Sequence, residues 1–325
     1  MSPMGAAMTD CREDGVSRRT FVKSVAGAAG AFVVGGCAGR ALGAGTAAVT
    51  DRAPTSPWLD RLGLQLYTVR DVIEKDFAGT LAQVAAAGYK EVEPTTYAHL
   101  TPAQVRAALD AAGLAAPSTH VALVHGPNLE RQLAGYQQIG HRWAATSGAD
   151  GGGWPPPPAT PDSVKRDAEL YNKVGAAGKP YGVKVLIHNH TFEFEPFPDG
   201  STPYDALFAE TDPAYVAFEM DIGWTRVAGQ DPLAWFAKHA HRFPLWHVKD
   251  MADLATVTRI KSQRDRLNAA KIVPVGLGDI DYKPYFAHAA DAGLEHYYVE
   301  QDTAPTTGSI AAMRLSAQNL RHALR

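Results

Sequence analysis

The sequence contains few cysteines and no excess of positive charge, and both absences narrow the chemistry open to it. Only two cysteines occur in 325 residues, Cys11 and Cys37, and both lie near the N-terminus. Their position excludes a disulfide framework or a cysteine metal site in the rest of the chain. With 31 Lys and Arg against 34 Asp and Glu, the chain lacks the basic field that binds nucleic acid non-specifically. The available chemistry is therefore that of histidines, carboxylates, lysines and hydroxyls.

Long apolar runs are also scarce, and the one near the N-terminus is read as an export signal. Arg18 and Arg19 precede an apolar stretch of small residues, 25–36, and this arrangement resembles a signal that the twin-arginine export machinery recognises. About a dozen apolar residues are too few to cross roughly 30 Å of hydrocarbon. We therefore predict a cleavable signal and linker over residues 1–56, a globular domain over 57–325, and a periplasmic or otherwise exported protein.

The processing of this segment has two open alternatives. The stretch "VVGGC" resembles a lipoprotein site at which Cys37 is acylated, whereas the small residues of "RALGAG" suit ordinary signal peptidase. A lipid on Cys37 is the only membrane attachment that the sequence predicts. Assembly into a homo-oligomer is also left open.

From Trp58 onward, short apolar segments alternate with longer amphipathic ones, which is typical of parallel β-α units. The predicted strands are residues 62–67, 91–94, 116–121, 144–154, 183–189, 215–221, 244–249 and 296–300. Periodicity predicts helices over 78–89, 102–114 and 231–243, the last capped by Asp231. Eight strands in a chain of this length favour an α/β fold of the closed (β/α)8 TIM barrel type. A doubly wound sheet is the competing architecture, but "LYTVRD" after the first strand has no phosphate-binding glycines.

Polar side chains collect at the C-terminal ends of the predicted strands, where barrel enzymes carry their active sites. They are Gln65, Glu93, His120, His188, His190, Asp221, His247, Lys249 and Glu300. Any one of them alone is consistent with a core residue whose polar atoms are hydrogen-bonded. So many polar groups on one rim, if left unpaired, would cost roughly 1–3 kcal/mol each. They must therefore bind each other or a cation.

The last four clear strands supply two imidazoles and two carboxylates. These are His188, Asp221, His247 and Glu300. Such a donor set suits Mn²⁺, Co²⁺, Fe²⁺ or Zn²⁺ rather than Ca²⁺. Because side chains alternate along a strand, His190 shares the face of His188 and is expected one layer higher, where it can meet a substrate.

Eight ordered motifs between Leu62 and Asp302 resemble the sugar phosphate isomerase/epimerase family, the xylose isomerase-like TIM barrels. They are "LGLQLYTVRD", "GYKEVEP", "STHV", "IHNHTFEFE", "FEMDIGWTRVAGQDP", "HVKD", "VGLGDIDY" and "YVEQD". The resemblance implies one divalent ion, with Mn²⁺ preferred and Co²⁺, Fe²⁺, Mg²⁺ or Zn²⁺ as alternatives. It also implies Asp221, His247 and Glu300 as ligands.

Two positions depart from the family pattern. His188 stands where related ketose 3-epimerases carry a glutamate that is both ligand and base, which puts their symmetric two-glutamate proton shuttle in doubt here. Leu277, in "VGLG", replaces an acidic residue of the relatives. The "HNH" motif, residues 188–190, also resembles a subgroup with many exported members that acts on 3-keto-glycosides by elimination or hydration.

These chemistries share one step, in which a proton is removed next to a carbonyl and a divalent metal stabilises the enediolate. The candidate bases are Glu300, His190, Glu93 and Lys249. A cation nearby should lower the pKa of Lys249, unless that residue forms an ion pair with Asp250 or Glu300. The predicted substrate contacts are Gln65, His120, Glu193 and Trp224. Alternatively, Gln65 and His120 support the ligands, Glu193 pairs within its loop, and Trp224 is only a lid.

Three functions of different classes remain. The preferred one is a metal-dependent isomerase or epimerase acting on a small sugar. The second is a lyase or hydratase that cleaves 3-keto-glycosides, which export and His188 favour. The third is a metal-bearing, sugar-binding lipoprotein without turnover. The related endonuclease-IV-like DNA repair barrels need a trinuclear zinc site, and the export signal and the net charge of −3 argue against that function.

Overall fold

The structure, a computed structural model, describes residues 56–121, 126–148, 156–303 and 307–325. The predicted export signal, with Arg18, Arg19 and Cys37, lies outside these residues and stays a prediction. Among the helices of the described ranges, none combines the length and the apolar character that crossing a bilayer requires.

Within the described ranges, the β structure consists of eight parallel strands and one antiparallel pair. The strands are β1 Leu62–Gln65, β2 Glu91–Glu93, β3 Ser118–Thr119, β4 Trp143–Thr146, β5 Lys184–His188, β6 Val216–Asp221, β7 Leu245–Val248, β8 Asp250–Ala252, β9 Lys271–Val273 and β10 His296–Val299. The parallel sheet has the order β2-β1-β10-β7-β6-β5-β4-β3, and β8 pairs with β9. All eight predicted strands are thus present. Seven lie within a few residues of their predicted bounds, whereas β4 ends at Thr146 and not at residue 154 as predicted.

The two outer strands of this sheet meet and nearly close the barrel. The backbone N–H of Val92 donates to Ala115 O at 2.8 Å, and that of His120 donates to Pro94 O at 2.7 Å. These bonds join the flanks of β2 and β3 across the seam. The (β/α)8 architecture expected from the sequence is therefore the observed one.

Thirteen α-helices and four short 3₁₀ helices surround or connect the strands in the described ranges. The α-helices are α1 Arg70–Ile73, α2 Phe77–Ala86, α3 Pro102–Ala112, α4 Leu129–Ile139, α5 Pro161–Gly178, α6 Pro203–Glu210, α7 Ile222–Val227, α8 Pro232–Lys238, α9 Leu254–Val257, α10 Gln263–Ala269, α11 Lys283–Ala287, α12 Ala289–Ala292 and α13 Ser309–Ala323. The 3₁₀ helices are Pro57–Arg61, Leu66–Val69, Lys179–Tyr181 and Phe192–Phe194.

Local sequence explains where several helices begin. Helices α3, α5 and α6 each follow a threonine and open with proline, and each has a capping box in which the threonine accepts an N–H three residues on. Asp231 caps α8 as predicted, through Leu233 N–H. The predicted extent of that helix, to residue 243, is wrong: α8 ends at Lys238 because His239 leaves the helical conformation, with φ −130° and ψ 59°, and His241 then adopts a positive φ of 60°.

A plug of apolar side chains fills part of the barrel interior. The plug residues are Trp143, Ala145, Leu186, Ala217, Leu245 and Tyr298, all buried. Side chains alternate along a strand, so the residue two positions later points inward one layer above. On β5, β6, β7 and β10 those next residues are His188, Glu219, His247 and Glu300. The fold therefore places a polar layer directly above the apolar plug.

Candidate metal centre and active site

The polar layer, to which Asp221 at the end of β6 also belongs, sits at the C-terminal ends of β5, β6, β7 and β10. It is almost completely shielded from solvent. Exposure is 2% for His188, 0% for Asp221 and His247, and 7% for Glu300. The strand register places His188 beside Glu219 and Asp221 beside His247. The structure therefore brings together all four residues predicted as metal ligands.

The His247 ring lies between carboxylates on both of its sides. Its Nε2 is 2.8 Å from Glu93 Oε2 and 3.3 Å from Glu219 Oε1. Its Nδ1 is 2.9 Å from Glu300 Oε2 and 3.9 Å from Asp221 Oδ2. One nitrogen thus faces the barrel wall, and the other faces the predicted ligands.

His188 has the same arrangement. Its Nδ1 is 3.2 Å from Glu219 Oε2, while its Nε2 is 3.9 Å from Asp221 Oδ2. The centroids of the His188 and His247 rings are 4.5 Å apart. Both imidazoles therefore turn one nitrogen toward Glu219 and the other toward Asp221.

Several buried polar atoms in this layer point into a space that suits a cation. Asp221 Oδ2, Glu300 Oε2, Glu219 Oε1 and His247 Nδ1 make no hydrogen bond of sound geometry within the described residues, although ion pairs reach them. Ligand atoms of Asp221, His247 and Glu300 lie within 4.8 Å of one another. So do those of a second group, His120, His188, Glu219 and His247. Buried polar atoms without a full set of hydrogen bonds are costly, and carboxylates and imidazoles are the usual ligands of such ions, so the residues present fit a bound divalent ion.

Lys249 occupies the opening of this layer. Its Nζ lies 3.1 Å from Asp221 Oδ2, 2.8 Å from Glu300 Oε2 and 2.9 Å from Asp302 Oδ1. Burial lowers the pKa of Lys249, but the charges of Asp221, Asp302 and Glu300 outweigh it and raise the pKa well above its usual range. The ion-pair alternative for Lys249 is therefore the one present, and the lowering of its pKa by a nearby cation stays a prediction.

The ion pair with Glu300 that the sequence left open is present, whereas Asp250 is not a partner of Lys249 in this site. Asp250 instead accepts the backbone N–H groups of Gly276, Gly278, Ile280 and Met251. Lys249 also lies 5.0 Å above the Trp224 ring. Trp224 therefore covers the ammonium group from the rim.

Glu93, a candidate base, lies behind His247 with both oxygens engaged. Oε1 accepts a hydrogen bond from Ser118, and Oε2 accepts from Gln65 Nε2 at 2.5 Å and from His247 Nε2 at 2.8 Å. This geometry favours a role in orienting His247 for Glu93 and a supporting role for Gln65. Their predicted roles as base and substrate contact stay predictions.

The remaining predicted residues form the rim. His120 Nε2 is 2.9 Å from Ser147 Oγ, and its ring centroid is 5.1 Å from that of His188. The His190 ring lies 4.8 Å from that of His188 and 5.8 Å from that of Trp224, as expected for a residue one layer higher. Glu193 accepts the His190 N–H at 2.8 Å, so it pairs within its own loop. Burial raises the pKa of Glu193 to about 8.

Sequence reasoning missed Glu219, which contacts both imidazoles and is fully buried. The signal was present in "FEMD": Glu219 stands two residues before Asp221, so the two share a face of β6. A carboxylate inside an otherwise apolar strand needs a partner. That rule alone would have placed Glu219 in the site.

Burial and neighbouring charges shift the pKa values of the side chains in the polar layer. Burial lowers the pKa of His188 well below its usual range, and the His247 charge adds to the shift. Burial also lowers the pKa of His247, but the charges of Glu219 and Glu300 raise it well above that range. For Glu300, Lys249 and His247 overcome burial and hold the pKa well below its usual value. Glu300 is therefore an ionised carboxylate beside an ammonium group.

Comparisons with known proteins agree with this architecture. A family model described as a xylose isomerase-like TIM barrel matches residues 81–321. An inosose dehydratase of Clostridium perfringens is 33% identical over 147 residues, which cover 42% of this chain and 47% of the relative. The chain thus matches about half the length of that curated relative.

Solved structures show the same fold at lower sequence identity. A sugar phosphate isomerase/epimerase from Parabacteroides distasonis superposes with a TM-score of 0.65 at 21% identity, covering 86% of this chain and 99% of the other. The IOLI protein with a bound zinc atom superposes with a TM-score of 0.60 at 11% identity, covering 81% and 98%.

Proposed function

Because the chain belongs to the xylose isomerase-like TIM barrel family, we propose that it is a divalent-metal-dependent enzyme acting on a small sugar or sugar derivative. Its reaction begins with removal of a proton next to a carbonyl group. The observation that carries the proposal is the convergence of His188, Asp221, His247 and Glu300 beside Lys249 in one buried layer.

The donor set supports a metal of borderline hardness. His188 Nε2, His247 Nδ1, Asp221 Oδ2 and Glu300 Oε2 would hold the ion, and two nitrogens with two oxygens suit Mn²⁺, Co²⁺, Fe²⁺ or Zn²⁺. Mn²⁺ remains the preferred ion, and the zinc atom of the IOLI structure supports Zn²⁺ as an alternative. When bound, the metal supplies a Lewis acid that polarises the substrate carbonyl.

Glu300 and Lys249 are the proposed acid–base pair. Glu300 is held ionised by Lys249 and can accept the proton on carbon. The Lys249 ammonium group, 2.8 Å from Glu300, stabilises negative charge that develops on a neighbouring substrate oxygen. His190 and Trp224 close the layer from above and exclude water from the reacting carbon.

Two outcomes of this first step are proposed. Return of the proton to the same carbon from the opposite face gives epimerisation, and its delivery to the neighbouring carbon gives isomerisation. The preferred assignment from the sequence motifs and the Parabacteroides distasonis structure support this outcome. Loss of a β-oxygen substituent gives dehydration or cleavage of a 3-keto-glycoside, which the inosose dehydratase relative and the imidazole at position 188 support. Both outcomes need the same buried layer.

Isotope exchange separates these outcomes. Metal-loaded protein is incubated in D₂O with ketoses, inososes and 3-keto-glycosides, and products are followed by NMR and mass spectrometry. Deuterium in a recovered or isomeric ketose supports the isomerase, and an unsaturated ketone or released aglycone supports the lyase. Glu300→Gln should abolish either signal. Sugar binding without exchange in any substrate contradicts the proposed enzyme and supports the binding protein.

A further inference from the structure

The Glu219 carboxylate lies between two imidazole rings, next to the nitrogen of each ring that faces away from Asp221. Oε2 is 3.2 Å from His188 Nδ1, and Oε1 is 3.3 Å from His247 Nε2. Glu219 is itself fully buried on β6, and its Oε1 has no hydrogen bond of sound geometry within the described residues. A buried carboxyl group in such surroundings needs hydrogen-bond partners.

Imidazole chemistry defines what those partners must be. A histidine that ligates a metal through one nitrogen in its neutral form carries its proton on the other, and that proton requires an acceptor. If His188 binds through Nε2, its Nδ1–H points at Glu219 Oε2. If His247 binds through Nδ1, its Nε2–H points at Glu93 Oε2 and Glu219 Oε1.

From this geometry we infer that Glu219 is a positioning residue that fixes the tautomer and ring orientation of both imidazole ligands and sets their affinity for the metal. Glu93 contacts only the His247 ring, whereas Glu219 lies within 3.3 Å of a nitrogen of both rings. The inference rests on the metal of the proposed function.

Glu219→Gln tests this assignment. The amide keeps the shape of the side chain but has one acceptor oxygen, so it cannot accept from both rings. Removing such a supporting carboxylate typically weakens metal binding about 10- to 100-fold. We expect a loss of this size for Zn²⁺ and Mn²⁺ in calorimetric titrations of metal-free protein, with the unfolding temperature of the metal-free variant unchanged or raised.

Glu91→Gln is the matched control. Glu91 Oε2 lies 2.7 Å from His296 Nδ1, so it forms the same kind of carboxylate–imidazole pair. Both residues begin their strands, β2 and β10, at the end of the barrel away from the site. This control should bind metal like the parent protein. Parent-like affinity in Glu219→Gln overturns the inference and leaves the proposed function standing, whereas a parent protein that binds no metal overturns the proposed function itself. A complete loss of binding marks Glu219 as a ligand and also overturns the inference.

Nitrogen-15 NMR of the histidines in the zinc-loaded parent protein gives a readout that does not depend on the variant folding. The inference predicts zinc-shifted Nε2 with protonated Nδ1 in His188, and zinc-shifted Nδ1 with protonated Nε2 in His247. The reverse pattern in either ring overturns the inference.

Discussion

Lys249 places an ammonium group where two predicted metal ligands meet. It contacts Asp221 Oδ2 at 3.1 Å and Glu300 Oε2 at 2.8 Å, and both oxygens belong to the proposed metal site. A positive charge at this distance competes with a cation for the same carboxylates. Lys249→Met should therefore tighten Mn²⁺ and Zn²⁺ binding by roughly tenfold or more while abolishing turnover.

Calorimetric titration checks this prediction, and Lys249→Arg serves as its control because it keeps the charge. Weaker metal binding by Lys249→Met would show that the lysine helps to build the site instead of competing for it.

His141, which lies outside the polar layer, makes a pH-dependent contribution to the stability of the fold. It is buried, with Nδ1 2.6 Å from Ala116 O and Nε2 2.9 Å from Tyr97 Oη, and burial lowers its pKa to about 4. The unfolded chain binds the proton with a pKa of about 6.5, so the stability provided by neutral His141 is present above that pH. It declines as the pH falls from about 6.5 to about 4, by roughly 3 kcal/mol.

Urea unfolding of the parent protein and His141→Gln at several pH values tests this sign. The difference in unfolding free energy between the two proteins should be largest at neutral pH and shrink toward pH 4. A difference that stays constant with pH would contradict a neutral, buried His141.

The limits of prediction from sequence are also visible at single residues. His188, Asp221, His247 and Glu300 were recognisable because each ends a strand, and they do lie in one layer. Glu219 was missed because it lies inside a strand, where the apolar pattern masks a single carboxylate. For Lys249 the sequence left two alternatives open, a pKa lowered by a cation or an ion pair with a carboxylate, because the number of carboxylates around it depends on the folded structure.

At the scale of elements, the loop after β9 is organised around Asp250. Its carboxylate accepts the N–H groups of Gly276 and Gly278 at 2.8 and 2.9 Å, and Tyr282 Oη donates to Lys249 O at 2.8 Å. The loop is thereby fixed next to the lysine. This loop and the β8–β9 pair were not predicted, because their hydrogen bonds join segments about 20 to 30 residues apart.

Asp250→Ala should lower the free energy of unfolding by roughly 2–4 kcal/mol, because four backbone N–H groups lose their acceptor. Asp250→Asn keeps one acceptor oxygen and should cost less. Urea denaturation compares the two variants with the parent. Equal stabilities in all three proteins would mean that the loop is held by other contacts.

At the scale of the whole molecule, the barrel was predictable because its strands are short apolar runs separated by amphipathic segments. Burial on both sides explains these runs: every residue of β1, β4, β6, β7 and β10 is buried. Strand alternation then links the apolar plug to the polar layer above it. The position of the site follows from the fold, whereas its hydrogen-bond pattern does not.

Export concerns the whole molecule, and it is tested through the arginine pair. Arg18→Lys combined with Arg19→Lys should retain the protein in the cytoplasm, because the twin-arginine machinery reads this pair. Fractionation and immunoblotting measure the distribution. Cys37→Ser distinguishes the two processing routes, since it should release the protein from the membrane fraction only if Cys37 is acylated. Unchanged export of the double arginine variant would contradict a twin-arginine signal.

The central claim is that His188, Asp221, His247 and Glu300 hold one divalent ion in the buried layer. Elemental analysis of purified, metal-reconstituted protein tests it most directly when the parent is compared with His247→Ala and with the Glu91→Gln control. The account predicts about one transition-metal ion per chain in the parent and the control, and almost none in His247→Ala. Equal metal contents in the parent and His247→Ala, or no metal in either, would contradict it.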